Sequence, residues 1–128
     1  MRAMVIDDSR AMRMILKRMI GKLDFEATEA ADGQQALDLL ETMPEVPDLA
    51  LIDWNMPVMN GLEFVTRVRA DPRLQSMILV MVSTESEHSQ IVRALAAGAH
   101  EYVIKPFTEN AMVEKLGLLG LLPTGANS

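Results

Sequence analysis

The chain contains no cysteine, which removes disulfide frameworks, thiolate metal sites and cysteine nucleophiles together and fits a reducing compartment. Aromatic residues are scarce at 4%, with one tryptophan and one tyrosine, so a pocket that sandwiches a flavin ring has little to be built from. Positive charge is also short. A net charge of −6 argues against direct DNA binding and gives no attraction to an anionic membrane. No apolar run approaches the roughly 18 residues that suggest a membrane span. Asp7 and Asp8 arrive too early to leave room for the apolar region of a signal peptide, so a cytoplasmic protein is expected.

What is present is ordinary for one globular domain: 128 residues, 49% apolar and 23% charged. Short apolar runs alternate with segments of helical period, the mark of an α/β domain with a largely parallel sheet. The strand-like runs are "AMVI", "FEATEA", "DLALID", "MILVMVS" and "EYVI". Ser9 is placed to cap a first helix whose Met12, Ile15, Leu16, Met19, Ile20 and Leu23 recur at three and four. A second helix follows "ADG" with Ala36, Leu37 and Leu40 inward, and a third spans Gly61 to Ala70 with Leu62, Val65 and Val68 inward. A fourth is expected over Glu85 to Ala97, with Ile91, Val92 and Leu95 inward and Thr84 as its cap. A fifth runs from Thr108 to about Leu119. Beyond it Leu118, Leu119, Leu121 and Leu122 are expected to finish that helix's packing, with a docking tail as the alternative and the last residues frayed.

In a parallel sheet every strand ends at the same edge, and ligands bind in the crevice there. Four of the five ends carry polar groups: Asp7 and Asp8, then Asp53, then Ser83 and Thr84, then Lys105. Three clustered carboxylates raise one another's pKa unless a cation balances them. With no histidine or cysteine in the set, a hard divalent ion is the natural partner, Mg²⁺ first and Mn²⁺ as a substitute. A carboxylate can also attack phosphorus to give an acyl phosphate, a reaction governed by positioning and charge neutralisation, which Lys105 and Ser83 could assist. That gives Asp53, at the tip of an apolar strand, a candidate role.

The segments "VIDDS", "LIDWNMPVMNG", "VMVS" and "EYVIKPF", in this order and spacing, resemble the receiver domains of bacterial two-component systems, and among them the CheY-like single-domain chemotaxis regulators. The resemblance covers residues 2 to 119. It implies a flavodoxin-like, doubly wound sheet of five parallel strands in the order 2-1-3-4-5 with five flanking helices, a receiver domain over 1–120 and a short tail over 121–128. It further implies Asp53 as phosphoacceptor, Mg²⁺ held by Asp8, Asp53 and the backbone carbonyl of Asn55, and Asp7 acting through a metal-bound water. Ser83 becomes the switch hydroxyl, Lys105 the phosphoryl contact and Tyr102 the switch aromatic, with Lys105–Pro106 as a candidate cis bond. Asn55 and Glu85 fall at the two positions that tune phosphate lifetime, which implies a short-lived phosphoryl group.

The implied protein is a response regulator and not an enzyme in the usual sense. It takes its phosphoryl group from a histidine kinase or a phosphotransfer domain, acts as a monomer, and binds a target protein through the face of helix four, strand five and helix five. A phosphate sink without its own output is one alternative. An aspartyl-phosphate phosphohydrolase is another, although Asn55 stands where a general acid is wanted. Ser9 and Thr84 depart from the family pattern beside the pocket. Five of the 12 basic residues, Arg10, Arg13, Lys17, Arg18 and Lys22, lie in the first helix with no acid between positions 9 and 23. That face is either solvated or a docking site for an acidic phosphodonor.

Overall fold

The structure is a computed structural model and describes residues 1–122. Five strands, β1 (Arg2–Ile6), β2 (Glu26–Ala30), β3 (Leu49–Ile52), β4 (Ile78–Ser83) and β5 (Glu101–Ile104), alternate with five helices. The helices are α1 (Arg10–Gly21), α2 (Gly33–Thr42), α3 (Gly61–Arg69), α4 (His88–Ala97) and α5 (Glu109–Leu118). All four strand pairings are parallel and the order is β2-β1-β3-β4-β5, as the resemblance implied.

Alternate residues of each central strand feed two separate cores, because side chains of a strand point to opposite faces. Met4, Ile6, Ala50, Ile52, Leu79 and Met81 pack with residues of α2, α3 and α4. Ala3, Val5, Leu49, Leu51, Val80 and Val82 pack with residues of α1 and α5. Every residue of β3 is buried. The starts of α1, α2, α3 and α5 are sealed by side chains: Ser9 Oγ accepts from Met12 N at 3.2 Å, Asp32 from Gln35 N at 2.8 Å, Asn60 from Glu63 N at 2.9 Å and Thr108 from Ala111 N at 3.0 Å.

Several inward assignments are corrected. Ile15 is 48% exposed, since it sits at the edge of the stripe made by Leu16, Met19 and Ile20. In α3, Leu62 is half-buried and packs against the core, while Phe64 is fully buried together with Val65 and Val68. The fourth helix begins at His88, not Glu85, and its N-cap is Glu87, so Thr84 caps nothing. Val92 and Leu95 are 48% and 42% exposed, because α4 turns Ala94 to the sheet with Ile91 and Ala97 beside it. Apolar residues at 91, 92, 94 and 95 define two stripes, and period alone does not choose between them.

Leu121 is buried, and Leu119 and Leu122 pack on the same core, while Leu118 is 75% exposed. The end of the tail, expected to be frayed, lies outside the described residues from 123 onward. Among the described residues no helix is long and apolar enough to cross a membrane.

At the opposite edge of the sheet from the acid cluster, Arg69 ties α3 to α4 and β4. Its guanidinium donates to the carbonyls of Gly98 and Met77, both at 3.0 Å, and lies 3.2 Å from His100 Nδ1. His100 Nδ1 also accepts from Leu79 N at 3.1 Å. Burial, and then the Arg69 charge, hold His100 below its ordinary value of 6.5, so the folded chain binds the neutral ring. The stability this adds is present above that value and is lost as pH falls through it. His100→Asn, which keeps an acceptor for Leu79 N, is expected to lose less stability than wild type between pH 7 and pH 5, read from urea unfolding curves.

Candidate functional site

The site is built by extending the sheet ladder one residue past the strands. Asp53 N donates to Ile6 O at 2.8 Å, Asp7 N to Ala30 O at 3.1 Å and Lys105 N to Ser83 O at 2.9 Å. Each of these side chains is therefore carried by backbone that the neighbouring strand still holds. Asp7 and Ser83 are buried at 1% and 0% exposure, and Asp53 at 8%. Asp8, one residue further on, is exposed.

The structure brings together the predicted acids. Asp7, Asp8 and Asp53 each offer a carboxylate oxygen, and these atoms all lie within 4.8 Å of one another. Lys105 Nζ is 2.8 Å from Asp7 Oδ2 and 3.5 Å from Asp53 Oδ1. One lysine does not balance three acids. Burial, then the Asp7 charge, push the Asp53 carboxyl up to about 6 despite Lys105, with Asp8 adding to the rise. An oxygen-only donor set with surplus negative charge fits a hard divalent cation, and Asp7, Asp8 and Asp53 are the side chains that would meet it.

The loop after β3 explains "WNMPVMNG". Trp54 is buried at 7% exposure beside Asp53. Gly61 N donates to Trp54 O at 2.9 Å, and a Cβ on Gly61 would collide with the carbonyl oxygen of Asp53. Gly61 is there because backbone approaches backbone, which no side chain permits. Met59 N donates to Pro57 O at 2.7 Å around Val58, whose φ of 67° is strained for a β-branched residue. The loop is pinned to the start of α2 by Gly33 N to Met59 O at 3.1 Å.

The loop after β4 converges on Glu85. Ser83 Oγ accepts from Glu85 N at 3.2 Å, the Tyr102 hydroxyl donates to Glu85 O at 2.6 Å, and Asn55 Nδ2 donates to Glu85 Oε1 at 2.7 Å. Tyr102 is 6% exposed with its ring in the core, so it stands inward. Burial raises its phenol above the ordinary range. Thr84 is exposed and takes no part in this junction. The Lys105–Pro106 bond is cis.

The basic face of α1 is less free than its composition suggests. Arg13 and Lys17 each lie 3.0 Å from a carboxylate oxygen of Glu29 on β2, which holds that acid below its usual range, Lys17 contributing most. Lys22 lies 3.5 Å from Glu109. Arg10 and Arg18 are exposed with no acidic partner among the described residues. Sequence reasoning missed Glu29 and the inward reach of Arg13, since residues 16 apart show no shared period.

Residues 3–117 match the response regulator receiver domain. The chain is 43% identical over 117 residues to a chemotaxis protein CheY homolog of Campylobacter jejuni, covering 91% of this chain and 89% of that protein. It is 40% identical to chemotaxis protein CheY1 of Helicobacter pylori, covering 91% and 94%. Among solved structures, Vibrio cholerae CheY4 superposes with a TM-score of 0.84 at 29% identity, covering 92% of this chain and 97% of that one. Sheet order, acid cluster, lysine and sequence identity lead to one conclusion: the chain belongs to the response regulator receiver family.

Proposed function

We propose that the chain is a phosphorylation-switched chemotaxis regulator of the cytoplasm that accepts a phosphoryl group on Asp53 from a histidine kinase or phosphotransfer domain. The observation that carries this reading is Asp53 clustered with Asp7 and Asp8 and 3.5 Å from Lys105 Nζ, with 8% of its surface exposed. In the proposed step an Asp53 carboxylate oxygen attacks phosphorus, a new O–P bond forms, and the donor's bond to phosphorus breaks with its electron pair leaving on the donor. Asp53 must be ionised to attack, and a carboxyl at about 6 is mostly so at neutral pH. Asp8, Asp53 and the Asn55 carbonyl would hold Mg²⁺, with Asp7 acting through a bound water. When bound, Mg²⁺ supplies neutralisation of the phosphoryl oxygens. Lys105 and the Ser83 hydroxyl stabilise the same oxygens.

Drawing Ser83 towards a phosphoryl group would release Glu85 N, and with it the junction that also holds Asn55 and Tyr102. The phosphoryl group favours one of two arrangements of that loop, and the outer face follows. Val92, Leu95, Ile104 and Leu118 leave apolar surface on α4, β5 and α5, which suits a protein target. The chain would act as a monomer. Asn55 donates an amide to Glu85 in the position where a phosphohydrolase wants a general acid, which disfavours that reading.

The test uses Trp54 as a reporter. Mg²⁺ followed by beryllofluoride or acetyl phosphate is expected to change its emission, with the acetyl phosphate signal decaying in far less than hours once donor is removed. A wild type with no Mg²⁺-dependent response would remove the reading. Pull-downs with and without beryllofluoride separate a target-binding regulator from a phosphate sink, which would capture no target in either state.

A further inference from the structure

Asp7 is gripped on every polar atom but by different parts of the fold. Its N–H reaches Ala30 O at 3.1 Å, Oδ1 accepts from Ser9 N at 2.9 Å, and Oδ2 accepts from Lys105 at 2.8 Å. The remaining atom, its backbone carbonyl, accepts from Arg13 Nη1 at 2.7 Å. That carbonyl belongs to the peptide that joins Asp7 to Asp8. Asp8 is exposed, so its carboxylate is aimed by the backbone that carries it and not by packing.

Arg13 is in turn anchored. Its Nε donates to Glu29 Oε1 at 3.0 Å, and Lys17 holds the other oxygen of Glu29 at 3.0 Å. The Arg13 side chain is 16% exposed, and its planar fork spans two acceptors on two elements, the loop after β1 and strand β2. We propose that Arg13, anchored by Glu29, is a positioning residue that fixes the Asp7–Asp8 peptide plane and so aims the Asp8 carboxylate at the divalent cation. This rests on the metal reading above and adds to it a support drawn from the second strand.

The sign of the effect separates this role from simple charge. A cation near a cation site opposes Mg²⁺ binding through Coulomb repulsion, so removing it should tighten binding if charge alone matters. Losing a residue that orients a ligand weakens binding, typically about 10- to 100-fold. Mg²⁺ affinity is measured by calorimetry and by Trp54 emission, with urea unfolding in metal-free buffer as a check on the fold. Arg13→Met is expected to bind Mg²⁺ at least about tenfold more weakly. Arg13→Lys is expected to stay weak, because a single ammonium does not span both acceptors. Arg18→Gln, which removes the same charge from the exposed side of α1, is expected to bind as wild type or more tightly.

Should Arg13→Met fail to fold, Glu29→Gln carries the test, since it keeps Arg13 and its shape but loosens its anchor; several-fold weaker binding is expected. Unchanged or tighter Mg²⁺ binding in Arg13→Met, or in Glu29→Gln where that variant carries the test, overturns the proposal, as does full rescue by Arg13→Lys. A wild type that does not bind Mg²⁺ overturns it together with the metal reading, a failure distinguishable from the other.

Discussion

Replacing Asp53 by asparagine is expected to make the metal-free protein more stable while abolishing phosphoryl uptake. Asp53 is buried among acids, and its carboxyl stands at about 6 in the folded chain against an ordinary 3.8. A raised carboxyl means that the folded state prefers the protonated form. Stability from this group is therefore fully present below the ordinary value and lost as pH rises through about 6. At neutral pH the cost is on the order of 3 kcal/mol, an upper figure because solvent reaches part of the site.

An asparagine side chain has nearly the same shape as the aspartate and no charge, so the variant escapes the loss. In urea unfolding without metal, Asp53→Asn should outlast wild type by about 2–3 kcal/mol at pH 7.5, with the gap shrinking towards pH 4. Saturating Mg²⁺ should stabilise wild type and narrow the gap, because a ligand that binds only the folded state adds to its stability. A variant less stable than wild type in metal-free buffer would contradict this account. The His100 titration has the opposite sign in a neighbouring window, so the two are best compared with both substitutions in hand.

Gly61→Ala is expected to cost stability and metal binding together. The added Cβ would strike the Asp53 carbonyl and come within 3.0 Å of Met81 Cε. The methionine end can swing away. The carbonyl cannot, because Asp53 N is held by β1 and Gly61 N is itself bonded to Trp54 O. Overpacking against fixed backbone typically costs about 1–3 kcal/mol, and the upper end is expected here.

Relief must come from moving the segment that carries Asp53, so Mg²⁺ affinity should fall about tenfold or more. Gly21→Ala provides the contrast. A Cβ there meets nothing within 4 Å, and alanine at a helix end should be neutral or slightly stabilising. Equal behaviour of the two variants in unfolding and Mg²⁺ titration would sink the argument from close approach.

Much of the site could be read before the fold was known, for a physical reason. A strand buried on both faces must be a run of apolar residues, and it must end where the chain leaves the sheet, so an acid directly behind such a run lies at a strand tip. Parallel order then brings the tips to one edge, which is why Asp7, Asp53 and Lys105 meet although they lie far apart in the chain. Helix faces were less legible. In α4 the apolar residues fit two stripes, and the choice fell to the one that lets Ala94 approach the sheet.

By itself, then, the sequence determined the five-strand alternation, the polar strand ends and the cap Ser9, because each depends on neighbours within a few residues. Only the tertiary structure decided where the charges of α1 go, where α4 begins, and that Gly61 is required by a carbonyl. Those outcomes depend on through-space contacts. Arg13 meets Glu29 because β2 lies beside β1, and Glu85 gathers Ser83, Asn55 and Tyr102 because three strands end together. Local pattern carries no distance between residues that far apart, and packing supplies it.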